Sequence, residues 1–249
     1  MKDKVGKEVF KGKKVIIFDM DGTLIDSVGI WNKVDRELIE ELGCSEAQNE
    51  DSIQRQRDMK LREYSKSENP YIDYCNFLSL KYGSSLTGEE TLKLRYDIAQ
   101  NYLRNEIDYK ADVPEFLKLL KEKNLTLVIA STTRKQNMHI YCNENDNIIK
   151  KANIEEYFSI VYTREDAKEI KPNPEIYLRI VNELDVSKEQ CLIFEDSLIG
   201  IDAANNAGIE VVAMYDKYSD MEREEINKKA DYCFDNYKEA ILQLVRENQ

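Results

Sequence analysis

Four consecutive apolar residues, Val15, Ile16, Ile17 and Phe18, run without interruption into Asp19-Met20-Asp21-Gly22-Thr23. Such a run has no polar face to offer water. It predicts a strand buried on both faces, the kind that builds parallel sheets. Open α/β sheets collect their ligands at the carboxyl ends of these strands. Asp19 and Asp21 are two residues apart, so they leave the same side of an extended backbone. Two carboxylates that close repel unless a cation or a shared proton offsets them. The segment therefore predicts an acidic pocket that holds a metal. Gly22 and Thr23 let the chain turn sharply and present amide groups to an anion. By itself an Asp-x-Asp pair fits a solvated loop equally well, and the rest of the chain decides between the two.

Composition removes several classes of function. With 36 Lys and Arg against 48 Asp and Glu, the net charge is −12, so no basic field exists to hold nucleic acid or an anionic membrane surface. No apolar run approaches the length needed to cross a bilayer, and the segment MKDKVGKEVFKGKK lacks the apolar middle of a signal peptide. The five cysteines (44, 75, 142, 191 and 233) are scattered and never form Cys-x-x-Cys. They read as the reduced, packing cysteines of a cytoplasmic protein. A single histidine, His139, excludes any site that needs two. Acid–base chemistry then falls to carboxylates, lysine or tyrosine.

Further strands are expected at Leu125–Ala130, Ser159–Tyr162, Cys191–Phe194, Glu210–Met214 and Asp231–Phe234, with amphipathic helices between them. One helix is marked by Phe116, Leu117 and Leu120, another by Ile176, Tyr177, Ile180, Val181 and Leu184. A third is capped by Ser197 and stops at Gly208. The alternation predicts an α/β fold, a Rossmann-like parallel sheet with helices on both faces. It breaks from Gly29 to about Asp108, where the patterns are helical throughout. Ile30, Trp31, Val34, Leu38 and Leu42 mark a first helix, and Tyr71, Tyr74, Cys75, Leu78 and Tyr82 another. Thr87 and Glu90 form a capping box before Leu92, Tyr96, Ala99 and Leu103, and a poorer helix covers roughly Asp51 to Tyr64. The expected organisation is a core of 1–28 with 109–249 and an inserted helical cap of 29–108, placed to act as a lid.

Three more landmarks fall where an acidic pocket needs them. Ser131-Thr132-Thr133 follow a strand and precede a helix, a position for phosphate capture or for ordinary helix capping. Lys171 sits in Lys171-Pro172-Asn173-Pro174, where the proline restricts its backbone, Asn173 can cap the next helix and Pro174 can open it. Glu195-Asp196 form a second acidic pair at a strand end. Oxygen ligands from two strand ends suit a hard cation such as Mg2+.

In order along the chain, Asp19-Met20-Asp21-Gly22-Thr23, Ser131, Lys171 and Glu195-Asp196 resemble the four motifs of the haloacid dehalogenase superfamily phosphatases. Leu24-Ile25-Asp26-Ser27, Lys171-Pro172 and Phe194-Glu195-Asp196-Ser197 with Gly200-Ile201 resemble the branch containing β-phosphoglucomutase and phosphoglycolate phosphatase, whose helical cap follows the first motif. The segment Asn137–Asn153 is longer and more polar than that pattern. The resemblance implies Asp19 as nucleophile and Asp21 as general acid and base. It implies Ser131, Thr132, Lys171, Gly22 and Thr23 around the phosphate, and Mg2+ held by Asp19, Asp21 through its carbonyl, Asp196 and Glu195. The expected partner is a small phosphorylated metabolite.

The presence of Asp21 disfavours dehalogenase and phosphonatase chemistry. The alternative to hydrolysis is a β-phosphoglucomutase-type transfer, but Trp31 stands where those mutases carry a histidine. A non-enzymatic reading, a receiver-like phosphate-binding module, fits the residue types but not the first-strand nucleophile or the helical insert. Arg55, Arg57, Lys60 and Arg62 are cap cations available to an anionic substrate, and Thr133, Arg134 and Lys135 form a loop expected to share in specificity.

Overall fold

The computed structural model describes residues 8–46, 49–64 and 67–247. Residues 1–7 of the amino-terminal segment and the side chain of Arg62 lie outside the described residues. The chain divides into two compact units, one made of the residues up to Asp26 with those from Ile107 onward, the other of Ser27–Glu106.

In the first unit the apolar run forms β1 (Val15–Phe18), all four residues buried. Within the second lie α1 (Val28–Glu41), α2 (Glu50–Glu63), α3 (Pro70–Tyr82) and α4 (Gly88–Asn105). The first unit resumes with α5 (Val113–Glu122), β2 (Thr126–Ala130), α6 (Lys135–Asn143), α7 (Asp146–Lys151), α8 (Ile154–Tyr157) and β3 (Ile160–Tyr162). It continues through α9 (Glu175–Glu183), β4 (Cys191–Glu195), α10 (Leu198–Ala207), β5 (Val211–Met214), α11 (Arg223–Lys229), β6 (Tyr232–Phe234) and α12 (Tyr237–Arg246).

The strands pair in parallel in the order β3-β2-β1-β4-β5-β6. Four of the expected strands start one residue later than their apolar patterns, and β4 runs one residue further, to Glu195. Both faces of the sheet are covered. Val15, Ile17, Val128 and Ile193 pack with α9 and α10 residues such as Tyr177, Ile180 and Ala204. Phe18 and Phe194 meet Phe116 of α5 and, from α12, Tyr237 packs on Phe116 and Phe194. This two-sided burial is why β1 reads as a continuous apolar run and not as an alternating one.

One expectation needs correction. Helix α9 begins at Glu175 with Pro174 at the cap position, and Asn173 Oδ1 accepts the Glu175 N–H (2.9 Å) from one residue further out. The segment Asn137–Asn153, longer and more polar than the family pattern, is largely helical. It carries α7 and most of α6, and its asparagines bind backbone where the chain returns from the helical unit. Asn145 and Asn147 each donate a side-chain N–H to the carbonyl of Ile107 (3.0 and 3.2 Å), and Tyr109 OH donates to the carbonyl of Ala152 (2.6 Å).

The helical unit forms as its patterns require. Asn69 caps α3, whose end is closed by Gly83 in the left-handed region (φ 72°), and the Thr87–Glu90 capping box opens α4. Leu38, Ile39, Tyr74, Cys75, Leu78 and Leu92 make its core. At the centre lies an ion cluster absent from the sequence reading. Asp35, fully buried on α1, accepts from Arg57 of α2 (2.8 Å) and Arg95 of α4 (2.5 Å). Burial works to raise the Asp35 pKa, but the two guanidiniums outweigh it and hold the carboxyl below its usual value. Arg57, expected at the surface for a substrate, is therefore an interior residue, whereas Arg55 is exposed and Lys60 pairs with Glu63.

Removing one member of a buried ion cluster leaves unpaired charge in low dielectric. Asp35→Asn is expected to destabilise the helical unit by about 3–5 kcal/mol, far more than Glu63→Gln on the exposed pair. Denaturant unfolding followed by Trp31 fluorescence checks this, because the Trp31 ring lies 4.6 Å from the Arg95 guanidinium.

Candidate active site

The sheet order reverses at β1, whose neighbours β2 and β4 leave in opposite directions. Beyond the carboxyl ends of the strands at such a switch point a crevice opens. Register decides what meets there. Phe18 pairs with Phe194 on one side and Ile129 on the other, so the residues immediately after β1 stand beside Glu195 and Ala130.

The turn after β1 is a closed hydrogen-bonded unit. Leu24 and Ile25 both donate their N–H groups to the carbonyl of Met20 (3.0 and 3.1 Å), and Gly22 N–H goes to the Ile25 carbonyl (3.0 Å). The Gly22 amide is thus used inside the turn. Gly22 adopts φ +82°, and a Cβ there would lie 2.8 Å from Asp196 Cγ, so only glycine lets the turn pass this close to the second acidic pair. Thr23 Oγ1 donates to Asp196 Oδ1 (2.7 Å), and Tyr237 OH donates to the Thr23 carbonyl (3.1 Å).

Lys171 reaches into this crevice from the segment before α9. Its ammonium donates to Asp19 Oδ1 (2.6 Å), Glu195 Oε1 (2.6 Å) and the carbonyl of Ala130 (2.9 Å). An ammonium has three protons, and here each has a protein acceptor. Its geometry is that of a charge bridge between two buried acids. Burial opposes the Lys171 charge, yet Asp19 and Glu195 hold its pKa well above the usual lysine value.

Glu195 is enclosed. Besides Lys171, its carboxylate accepts from Tyr177 OH (3.1 Å), the backbone N–H groups of Asp196 (3.1 Å) and Ser197 (3.4 Å), and Ser197 Oγ (3.1 Å). Gly200, on the first turn of α10, faces it so closely that a Cβ would overlap the carboxyl group. Asp19 and Asp196 carry far fewer bonds. Asp19 is pushed up to about 7 by burial, with Lys171 pulling it down and Glu195 pushing it up. Asp196 is raised well above its ordinary value by burial, then by Glu195 and Asp19.

Ser131 and Thr133 complete the buried set, while Thr132 is exposed. Ser131 Oγ accepts the Thr133 N–H (3.0 Å) and donates to Thr133 Oγ1 (3.0 Å), which in turn donates to Asp21 Oδ2. The structure thus gathers Asp19, Asp21, Gly22, Thr23, Ser131, Lys171, Glu195 and Asp196 at one end of the sheet. It adds Tyr177, Tyr237 and, for Thr133, a bond to Asp21 in place of the phosphate capture, helix capping or specificity considered from the sequence. No local signal marks the two tyrosines, or this partner of Thr133.

Asp19, Glu195 and Asp196 each place a carboxylate oxygen within 4.8 Å of the others, all buried. Three acids against one ammonium leave excess negative charge in low dielectric, and all donors are oxygen, a set that fits a hard divalent cation.

A family model described as haloacid dehalogenase-like hydrolase matches residues 16–214. The chain belongs to that family of hydrolases, whose members generally use a divalent metal. The phosphorylated carbohydrates phosphatase of Thermotoga maritima is 29% identical over 198 residues, spanning 79% of this chain and 82% of that one. Crystalline CbbY of Rhodobacter sphaeroides, in complex with phosphate, matches with a TM-score of 0.68 and 21% identity over 90% of this chain and 95% of its own. A second crystal structure of that protein, in complex with xylulose-(1,5)bisphosphate, matches with the same score and coverage. The expected α/β architecture is the fold of these proteins. Among the described residues no helix is long and apolar enough to cross a membrane.

A cation entering this cluster must expel the proton that Asp19 carries below about pH 7. Divalent-cation affinity is therefore expected to rise with pH through about 7, with proton release on binding. Calorimetry in buffers of different ionisation enthalpy measures both, and a constant affinity without proton release between pH 6 and 8 contradicts the assignment.

Proposed function

We propose that this chain is a Mg2+-dependent phosphatase that hydrolyses a small phosphorylated metabolite, of the phosphorylated-carbohydrate class, through an aspartyl phosphate on Asp19. The observation that carries the reading is the difference between two acids on one turn. Asp19 is buried and paired with Lys171, whereas Asp21 is only partly buried and held by a neutral hydroxyl. Environments that separate two carboxylates in this way assign them separate roles.

Asp19 attacks phosphorus, and its new P–O bond forms as the bond to the leaving oxygen breaks. Asp21 delivers its proton to that oxygen. The Asp21 carboxylate then takes a proton from water, which attacks the phosphoryl group and releases phosphate from Asp19. Lys171 and Glu195 hold the nucleophile in place, and Lys171 offsets the repulsion among the acids. Ser131 and Thr132 are assigned to the phosphoryl oxygens beside the Gly22-Thr23 turn. Asp19, Asp196, the Asp21 carbonyl and Glu195, the last directly or through water, would hold the cation, which would supply positive charge to the phosphoryl oxygens. Transfer to water and not back to a sugar is favoured by Trp31, whose ring is engaged with Arg95 inside the helical unit. Substrate selection is assigned to the helical insert, as the family resemblance implies. The net charge of −12 supports a small-molecule partner over nucleic acid.

Phosphate release from a panel of phosphometabolites with Mg2+, abolished by EDTA, tests the reading. Asp19→Asn is expected to abolish both turnover and covalent labelling by phosphate, because an amide is no nucleophile. Asp21→Asn is expected to cut turnover about 10²–10⁴-fold, the scale of general acid–base catalysis. Continued labelling of the Asp19 variant would place the acceptor elsewhere.

A further inference from the structure

The hydroxyl of Thr133 has an ordinary alternative use, since it lies two residues before α6, where threonines cap helices. It is not used that way. Arg134 occupies the cap position of α6 without a side-chain cap bond, and the Lys135 N–H is taken by Glu165 (2.9 Å). The Thr133 hydroxyl instead crosses 112 residues of sequence to Asp21.

Its bonding partners fix the direction of that contact. A hydroxyl has one proton to donate, and a carboxyl oxygen that bears no proton only accepts, even when the other oxygen of the group carries one. Thr133 Oγ1 already receives the Ser131 proton, so its own proton goes to Asp21 Oδ2, in the sequence Ser131 to Thr133 to Asp21. The backbone on either side is pinned as well. Ser131 N–H donates to the Tyr162 carbonyl (3.0 Å) and Arg164 N–H to the Thr133 carbonyl (2.9 Å), so the loop after β2 is stitched to β3. Thr133 is 7% exposed. A buried hydroxyl on a doubly anchored loop is held in place before any substrate arrives.

We propose that Thr133 is a positioning residue for the reaction. It holds the Asp21 carboxylate at the angle from which that acid exchanges protons with the leaving oxygen and with water. The inference rests on the phosphatase reading above and adds to it a residue outside the four motifs. Positioning of this kind acts on proton delivery, so it matters in proportion to how much the leaving oxygen needs a proton. p-Nitrophenolate departs almost unaided, whereas unsubstituted phenolate departs poorly without protonation.

The test compares kcat/KM for phenyl phosphate and p-nitrophenyl phosphate, which reports the step in which the leaving group departs. Thr133→Val, nearly the same shape without the hydroxyl, is expected to lose at least about 10-fold more on phenyl phosphate than on p-nitrophenyl phosphate, a fraction of the full general-acid effect. Asp21→Asn is expected to show the same bias more strongly, and Thr133→Ser to restore the wild-type ratio. If Thr133→Val does not fold, Thr133→Ala gives the same comparison. Equal losses on both esters, no loss, or failure of serine to rescue the ratio overturns the positioning role while leaving the phosphatase reading intact. A wild-type protein that hydrolyses neither these esters nor any phosphometabolite overturns the reading itself, and the inference with it.

Discussion

The buried Lys171 ammonium is the contact on which the rest of the site depends. A lone ammonium in low dielectric is costly, and so is a lone carboxylate. Here each makes the other tenable, because Lys171 lies between Asp19 at the end of β1 and Glu195 at the end of β4, with its third proton on the last carbonyl of β2. Three neighbouring strands therefore converge on one nitrogen. Only the register that sets Phe18 beside both Phe194 and Ile129 brings those acceptors together. The sheet positions the charges, and the charges in turn select one register of the sheet.

The helical unit contains the reverse arrangement, one buried acid shared by two cations on different helices. Both clusters join elements distant in sequence, and both demand a specific alignment of those elements. Apolar packing is tolerant of small slips, whereas a guanidinium or ammonium that must meet a named oxygen is not. The two units thus share a logic, an apolar bulk with one polar contact that fixes its alignment.

Much of this was legible in the chain. The strand before Asp19 was plain because burial on both faces leaves an unbroken apolar run. The capping box at Thr87 was plain because that device is local. What escaped was non-local. Arg57 read as a surface charge because nothing near it in sequence announces Asp35, one helix away. The polar run Asn137–Asn153 read only as longer and more polar than the family pattern, because the backbone around Ile107 that its asparagines serve is distant in sequence. The Thr133 hydroxyl was indistinguishable from a helix cap until the loop after β2 was seen beside the turn after β1. The acids and the lysine of the candidate site could be found from their order along the chain, but their pairing could not.

Gly22 and Gly200 each keep open the space that an acid occupies, Asp196 in one case and Glu195 in the other. The pocket is therefore encoded twice, once by the side chains that carry charge and once by two positions that carry none. A single added methyl group at either glycine displaces a carboxylate without changing the identity of any charged residue. Among descendants of such a chain, activity could lapse while all four motif acids persist, and return by one reversal. An intact set of acids alone is thus an unsafe sign of a working pocket; residues 22 and 200 have to be read with them.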